Sequence, residues 1–417
     1  MKGRTFTPSE KEFLRSVKVA GKTLTGVSRK SALVIHHGDA DGICSAAMMK
    51  LALERAKWSV STICLEKLFP EVLDKIHSTE ASAVIYADLG SPHVARISQV
   101  NRGRRLTVVI DHHDPRTVQD ETLFNLNPEL FGIDGESQAS SSTVAFLLAH
   151  EFSESNSDLA PIALVGSSEL PGKIVGLNKF VLEGALASGS TQVVRAKSTE
   201  RVKVKLGEDW WDRGKASSLI TTLGSVGYYR GGPEVAIRAV TRGIDETTEQ
   251  LANRLGAERR SRFNDLFSKL RRSALAKTRA AQWLNVEDGF AGMGSKVIGT
   301  FLSILRFKRA VDPNRYLLGF MWLDPRVPGL GNLRGIWTKV SARVPPLLER
   351  AVSSGDMPPL SVLLCGAADA VGGFADGHAF ASSGVIPRDL WSSLLERFDE
   401  LAVVSRESKQ GRRPEKP

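Results

Sequence analysis

Cysteine is scarce: three occur in 417 residues, Cys44, Cys64 and Cys365. They form no CxxC pair and stand far apart, which excludes a disulfide framework or thiolate zinc site and suits a reducing cytoplasm. Long hydrophobic runs are also missing. No apolar stretch reaches the ~18 residues that span a bilayer, so no membrane partner is expected. The opening residues, MKGRTFTPSEKEFLRS, lack the uninterrupted apolar core of a secretory signal. Acidic residues are the minority, 46 against 56 Lys and Arg, giving a formal charge of +10. That excess favours a polyanionic partner, nucleic acid being the commonest, with solubility alone as the competing reading. What remains, with 42% hydrophobic residues, is an ordinary globular chain long enough for two or three domains. It carries no internal repeats.

From Ser31 to Asp111 short apolar runs alternate with helical patterns. The runs are Ala32–Ile35, Val60–Leu65, Ala83–Ala87 and Leu106–Ile110; between them Ile43–Ala56, Phe69–Ser78 and Pro92–Arg102 are long enough for helices. Runs apolar throughout suit strands buried on both faces, so the pattern predicts an α/β fold with a mainly parallel sheet and crossover helices. A further helix is expected over Ser141–Phe152, started by the hydroxyl-rich residues 140–143.

Around Arg195 the composition changes. Arg195, Lys197, Arg201, Lys203 and Lys205 crowd one short stretch, and a helical pattern over about 245–283 carries Arg254, Arg259, Arg260, Arg262, Lys269, Arg271, Arg272, Lys277 and Arg279. Glu246, Glu249, Glu258 and Asp265 can pair with some of them at helical spacing, but the bases outnumber these acids about two to one. Residues 201–290 therefore read as a basic helical connector able to track phosphates. Trp210, Trp211, Tyr228 and Tyr229 can stack bases or simply fill a core. Residues 291–404 return to α/β texture, with strands expected at Tyr316–Leu323 and Gly335–Ala342 and helices at Pro345–Val352 and Arg388–Val404. The tail 405–417, with seven charges and two prolines, is expected to be disordered.

The stretch VIHHGDADGICSA, residues 34–46, poses the chemical question. His37, Asp39 and Asp41 lie just past an expected strand end, where open parallel sheets bind ligands. The run Ala83–Ala87 delivers Asp88, and the run Leu106–Ile110 delivers Asp111, His112, His113 and Asp114. One such Asp is commonly a helix cap and one His a satisfied core residue. Three strand ends bearing both types on one rim point to divalent metal, which cancels carboxylate repulsion and accepts neutral imidazole. Mixed oxygen and nitrogen donors suit Mn²⁺ first, Mg²⁺ second, and zinc less.

The segments HGDADG, ADLGS and IDHHDP resemble successive motifs of the DHH phosphoesterase superfamily, named for the triplet Asp111-His112-His113. Toward the other end, GGFADGHAFASSG (372–384) and TKVSAR (338–343) resemble the signatures of the DHHA1 domain. The arrangement is similar to archaeal RecJ-like nucleases of DNA repair and replication, including those associated with the replicative helicase. The resemblance implies a DHH domain over 1–200, the connector over 201–290 and a smaller α/β DHHA1 domain over 291–404. It implies two divalent metals, one held by His37 and Asp39, the other by Asp41 and His112, bridged by Asp88. His113 would face the scissile phosphate and Asp111 would orient the histidine pair. The metals would share and deprotonate a water for in-line attack. Ser341, Arg343 and His378 would grip a substrate phosphate, with Gly373, Gly377, Gly372 and Gly384 letting amides approach it.

One motif departs from the pattern. Members of the family usually add a metal-binding Asp after an apolar strand, here matched to Ile162–Val165, yet Gly166-Ser-Ser-Glu169 follows. Glu169 is the candidate substitute ligand. The leading expectation is a metal-dependent exonuclease on single-stranded DNA or RNA. The alternatives are a catalytically weakened replication scaffold and an oligonucleotide or cyclic-dinucleotide phosphodiesterase.

Overall fold

The structure, a computed structural model, describes residues 5–196 and 199–410. It divides into two compact units, Met1–Leu255 with Pro328–Leu330, and Gly256–Val327 with Gly331–Pro417.

The first unit opens with α1 (Pro8–Thr25), started by a capping box in which Thr7 and Glu10 each accept the other's amide. Five strands follow: β1 (Ser31–His36), β2 (Ser59–Cys64), β3 (Ala83–Ala87), β4 (Leu106–Ile110) and β5 (Leu123–Leu126). They pair in parallel in the order β2-β1-β3-β4-β5. Connections are α2 (Ala40–Arg55), α3 (Pro70–His77) and α4 (Val94–Asn101). The expected parallel α/β sheet is present, and β3 and β4 fall on the runs read from the sequence. Because β1 joins β2 on one side and β3 on the other, the strand order reverses between β1 and β3, which opens a crevice at their C-terminal ends.

Helices α5 (Ser141–Phe152) and α6 (Ala160–Gly166) pack with α2. α6 corrects the expectation of a strand at Ile162–Val165. A short segment apolar throughout is ambiguous between buried strand and buried helix. Pro161 in the first turn, where its missing N–H costs nothing, favours the helix. After α7 (Gly176–Ala187) come β6 (Thr191–Ala196), β7 (Thr199–Leu206) and β8 (Asp209–Asp212), an antiparallel sheet that the sequence pattern does not separate from its helical surroundings. Alternation along β7 buries Val202, Val204 and Leu206 and turns Arg201 and Lys205 outward. α8 (Arg213–Thr221), a π-helical turn (Thr222–Val226) and α9 (Gly232–Arg242) complete this unit.

α10 (Glu246–Leu270) crosses the division and stops well before 283. Beyond it, β9 (Ala276–Lys277) pairs with β10 (Ala281–Asn285), so the stretch read as a helical connector contains strands as well as helices. The second unit adds α11 (Lys296–Leu305), β11 (Tyr316–Trp322), the short pair β12 (Arg326–Val327) and β13 (Gly331–Asn332), β14 (Trp337–Arg343), α12 (Pro346–Ser353), α13 (Leu360–Ala370), β15 (Phe374–Gly377), β16 (Ala381–Pro387) and α14 (Trp391–Gln410). Its sheet runs β15-β16-β14-β11-β10-β9 over a core that includes Tyr316, Phe320, Leu364 and Phe398. α14 takes in residues 405–410; Lys197 and the rest of the expected tail, 411–417, lie outside the described residues. Among the described residues no helix is long and apolar enough to cross a membrane.

Candidate metal centre

The register of the first sheet fixes the site. His36 lies beside Ala87, and Ala87 beside Ile110, so the next residues, His37, Asp88 and Asp111, emerge side by side on one rim. Backbone pairing carries one residue further: the amides of His37 and Asp88 donate to Ala87 O and Ile110 O. Asp88 then turns with φ of 63°, a left-handed conformation that Asp tolerates better than most residues. Asp39 caps α2, its Oδ1 accepting the Gly42 amide at 3.1 Å. Gly42 has no alternative, since a Cβ there would lie 2.6 Å from His37 O.

Two clusters result. His37, Asp39 and Asp88 present ligating atoms within 4.8 Å of one another, and so do Asp88, His112 and His113. Asp88, 2% exposed, belongs to both. Its Oδ2 stands 3.4 Å from His37 Nδ1 and its Oδ1 3.4 Å from His112 Nε2. His37 Nδ1 is 2.8 Å from Asp39 Oδ2. Asp41 is also at hand, with Oδ2 3.7 Å from His112 Nε2.

Several contacts orient these groups. The N-terminus of α5 holds Asp41, the Ser142 amide donating to Oδ1 at 2.7 Å and the Ser141 amide to Oδ2 at 3.0 Å. Ser141 Oγ donates to Asp88 at 2.9 Å. His112 Nδ1 donates to Gly135 O at 2.8 Å, leaving Nε2 to face the carboxylates. Asp111, fully buried, accepts the amides of His112 and Ser91 and the ring Nδ1–H of His113 at 2.6 Å. With Nδ1 so engaged, His113 turns Nε2 away from Asp111. The hydroxyl run 140–143 reads in the sequence only as a helix start; its acid-binding amides depend on a contact 100 residues distant and leave no local signal.

The electrostatics match the geometry. Two carboxylates about 4 Å apart at an effective dielectric of ~20 repel by about 4 kcal/mol. Burial, and then the charge of Asp88, pushes the Asp41 carboxyl up to about 7. For His112 burial favours the neutral ring, but the hydrogen bond and charge of Asp88, with Asp41 and Asp111, prevail and raise it to about 10. Asp111 is held below the usual carboxylate range: burial opposes this, but the two histidines and the Ser91 amide outweigh it. A buried nitrogen lone pair aimed at two carboxylates demands a cation, proton or metal. The donor set of carboxylate oxygens and imidazole nitrogens fits Mn²⁺ or Mg²⁺.

Glu169 belongs to neither cluster; it is exposed at the end of the turn Ser167–Glu169 that follows α6, where its carboxylate accepts the Thr221 hydroxyl. In the second unit, Ser341 and Arg343 lie two apart on β14 and face α11: a Cβ on Gly299 would meet Arg343 Nη2 at 2.9 Å and Ser341 Oγ at 3.5 Å. Arg343 donates to Ser303 Oγ at 2.9 Å and to Ala342 O at 2.8 Å. Burial, with Arg306 nearby, lowers its pKa to about 10. Lys339, on the same strand face and 4% exposed, reaches Ser383 Oγ at 3.2 Å; it lies within the TKVSAR motif, which by itself gives it no role. His378 follows β15, its amide on Ala381 O. Gly373 and Gly384 are demanded by the sheet itself, since Cβ atoms there would lie 2.3 Å from Val385 O and 2.6 Å from Phe374 O. Gly377 ends β15 at φ of 144°. Of the four aromatics weighed for stacking, Tyr228 is core, its hydroxyl on Cys64 O, while Trp210 is 38% exposed.

The family model described as DHH family, N-terminal domain, matches residues 31–167. An uncharacterized protein of Methanocaldococcus jannaschii is 31% identical over 160 residues, 36% of this chain and 36% of its own. Among solved structures, RecJ from Thermus thermophilus in complex with Mn²⁺ has a TM-score of 0.63 at 17% identity, covering 97% of this chain and 56% of that one. Exonuclease RecJ bound to manganese has a TM-score of 0.58 at 17% identity, covering 93% and 94%. CDC45 from Entamoeba histolytica has a TM-score of 0.56 at 11% identity, covering 95% and 99%. The chain thus spans about a third of its curated relative and just over half of the Thermus RecJ. Residues 31–167 thus match the N-terminal domain of the DHH family, and the fold is similar to that of RecJ.

Proposed function

We propose that this chain is a metal-dependent phosphodiesterase, an exonuclease acting on single-stranded DNA or RNA. The observation that carries the reading is Asp88, buried at the switch point of the sheet and shared by two clusters of acids and imidazoles. In this reading His37 and Asp39 would hold one divalent ion and Asp41 and His112 the other, with Asp88 shared between the two clusters; Mn²⁺ is the leading candidate and Mg²⁺ the second. Such a pair supplies Lewis acidity that lowers the pKa of water and offsets phosphoryl charge.

The chain's own residues do the rest. Asp41 is presented by the α5 amides, and His112 keeps Nε2 toward the acids because Nδ1 is committed to Gly135 O. His113, buttressed by Asp111, directs its other ring nitrogen at the scissile phosphate and donates a proton there. Ser341 and Arg343, with His378 and the turn at Gly373 and Gly377, bind a phosphate of the substrate. The arginine has no carboxylate on its guanidinium among the described contacts, which supports an anion as its missing partner. Exposed Arg260 and Arg262 on α10 supply sequence-independent attraction to the strand. A reducing, cytoplasmic setting with nucleic acid as partner fits the charge and the free cysteines.

The test is digestion of 5′- and 3′-labelled DNA and RNA oligonucleotides with Mn²⁺, Mg²⁺ or chelator. Progressive shortening of single strands from one end, absent in chelator, is expected. Intact strands in excess Mn²⁺ would favour the second reading, a catalytically weakened replication scaffold bound to helicase components. One observation leans that way: no Asp occurs between Asp158 and Asp209, and Glu169 is engaged by Thr221.

A further inference from the structure

The loop that carries His37, Asp39 and Asp41 is held by a segment outside the family-matched residues 31–167. α8 ends at Thr221 and continues as the π-helical turn Thr222–Val226, in which the Gly227 amide reaches Thr222 O at 3.3 Å and Leu223 O at 3.0 Å. This widened turn lies directly on the loop. A Cβ on Gly224 would fall 2.2 Å from Gly38 O and 2.4 Å from Ile43 Cδ1, so backbone rests on backbone between His37 and Asp39. One residue before the π turn, Thr221 Oγ1 accepts the Ala40 amide at 2.9 Å. Ala40 sits between Asp39 and Asp41, and its amide is one of the first-turn donors of α2 that no helical carbonyl can satisfy. Since the Thr221 oxygen is an acceptor toward Ala40, its proton points the other way, onto the Glu169 carboxylate.

We infer that Thr221, seated by the Gly224 turn and oriented by Glu169, is a positioning residue of the metal centre that sets the spacing of Asp39 and Asp41. Glu169 acts through Thr221 and not as a ligand. The chain of contacts is short and one-directional. Glu169 fixes the hydroxyl, the hydroxyl fixes the Ala40 amide, and that amide fixes the peptide joining the two acids. Asp39 has little slack, its Oδ1 capping Gly42 and its Oδ2 on His37. Asp41 is equally committed to the α5 amides. A shift of the Ala40 peptide therefore moves one carboxylate relative to the other. Groups that orient ligands in this way commonly alter metal affinity about 10- to 100-fold when removed.

The inference rests on the metal-site reading, and Mn²⁺ titration calorimetry separates the two. Thr221→Val keeps the shape and removes the hydroxyl; it should weaken Mn²⁺ binding by about 10-fold or more. Thr221→Ser should return affinity to within about threefold of wild type. Glu169→Ala, at an exposed position where folding is not at stake, should weaken binding by several-fold. Glu169→Gln, which keeps an oxygen for the Thr221 hydroxyl, should stay near wild type. Wild-type Mn²⁺ uptake with unchanged affinity in Thr221→Val and Glu169→Ala overturns the positioning role alone. A loss in Glu169→Gln as large as in Glu169→Ala overturns it in favour of direct ligation. Failure of the wild type to take up Mn²⁺ overturns the metal site, and this role with it.

Discussion

Metal uptake at the proposed centre would displace protons from His112 and Asp41. With Nδ1 donating to Gly135 O, the His112 ring confronts Asp88 and Asp41 through Nε2 at 3.4 and 3.7 Å. Without metal that nitrogen is protonated throughout the neutral range, since its pKa is raised to about 10. Asp41, pushed up to about 7, is half protonated at neutral pH. Binding of divalent ions requires both groups deprotonated. At pH 7 loading should therefore release between one and two protons, and at pH 8.5 close to one, because Asp41 has by then ionised. Calorimetric titration with Mn²⁺ in buffers of different ionisation heat measures this number directly. Asp41→Asn should bring the release at pH 7 down to about one. Holding each proton at pH 7 against its pKa corresponds to about 1.4 kcal/mol per pH unit, so apparent affinity should climb steeply with pH. Zero release at pH 7, or a release independent of pH between 6.5 and 8.5, would refute the assignment of His112 and Asp41 as displaced proton carriers.

The same groups govern the stability of the metal-free protein. Asp41 and His112 bind protons more tightly folded than unfolded, so their contribution is complete at low pH and is lost as pH rises, through about 7 for Asp41 and about 10 for His112. His36 and His77, both lowered to about 4 first of all by burial, act oppositely and only as pH falls below their ordinary 6.5. Thermal unfolding in chelator should therefore shift to lower temperature from pH 6.5 to 9, a trend that saturating Mn²⁺ flattens. Arg343→Ala should raise the substrate concentration for half-maximal hydrolysis about 10-fold or more, the loss of a charge-assisted phosphate contact, while the unfolding midpoint changes little; parallel losses would make Arg343 structural. Charge reversal at Arg259, Arg260 and Arg262 should weaken single-strand binding and flatten its dependence on salt; an unchanged slope would mean that this face of α10 meets no nucleic acid.

What is legible in the sequence follows the range of the interactions. β3 and β4 are readable because strands buried on both faces must be apolar throughout, and the acids and histidines at their ends cannot be there for packing. The DHH triplet and the H-x-D-x-D loop are local, so the clustering of His37, Asp39, Asp88 and His112 is foreseeable. α6 is mistaken for a strand because seven apolar residues carry no period. The end of α10 is overrun because the basic pattern continues into β9 while the backbone turns. Thr221 is out of reach: its bond to Ala40 joins positions 181 residues apart, and nothing in TTLGSVG announces a metal centre. The Gly-rich passage suggests ligand approach, whereas Gly373 and Gly384 answer to neighbouring strands.

Anomalous diffraction at the manganese edge, from crystals soaked in Mn²⁺, tests the dinuclear site most directly. Two peaks about 4 Å apart, one beside His37 and Asp39, the other beside Asp41 and His112, with a carboxylate oxygen of Asp88 on each, are the predicted result. A single peak, or peaks away from Asp88, would contradict it.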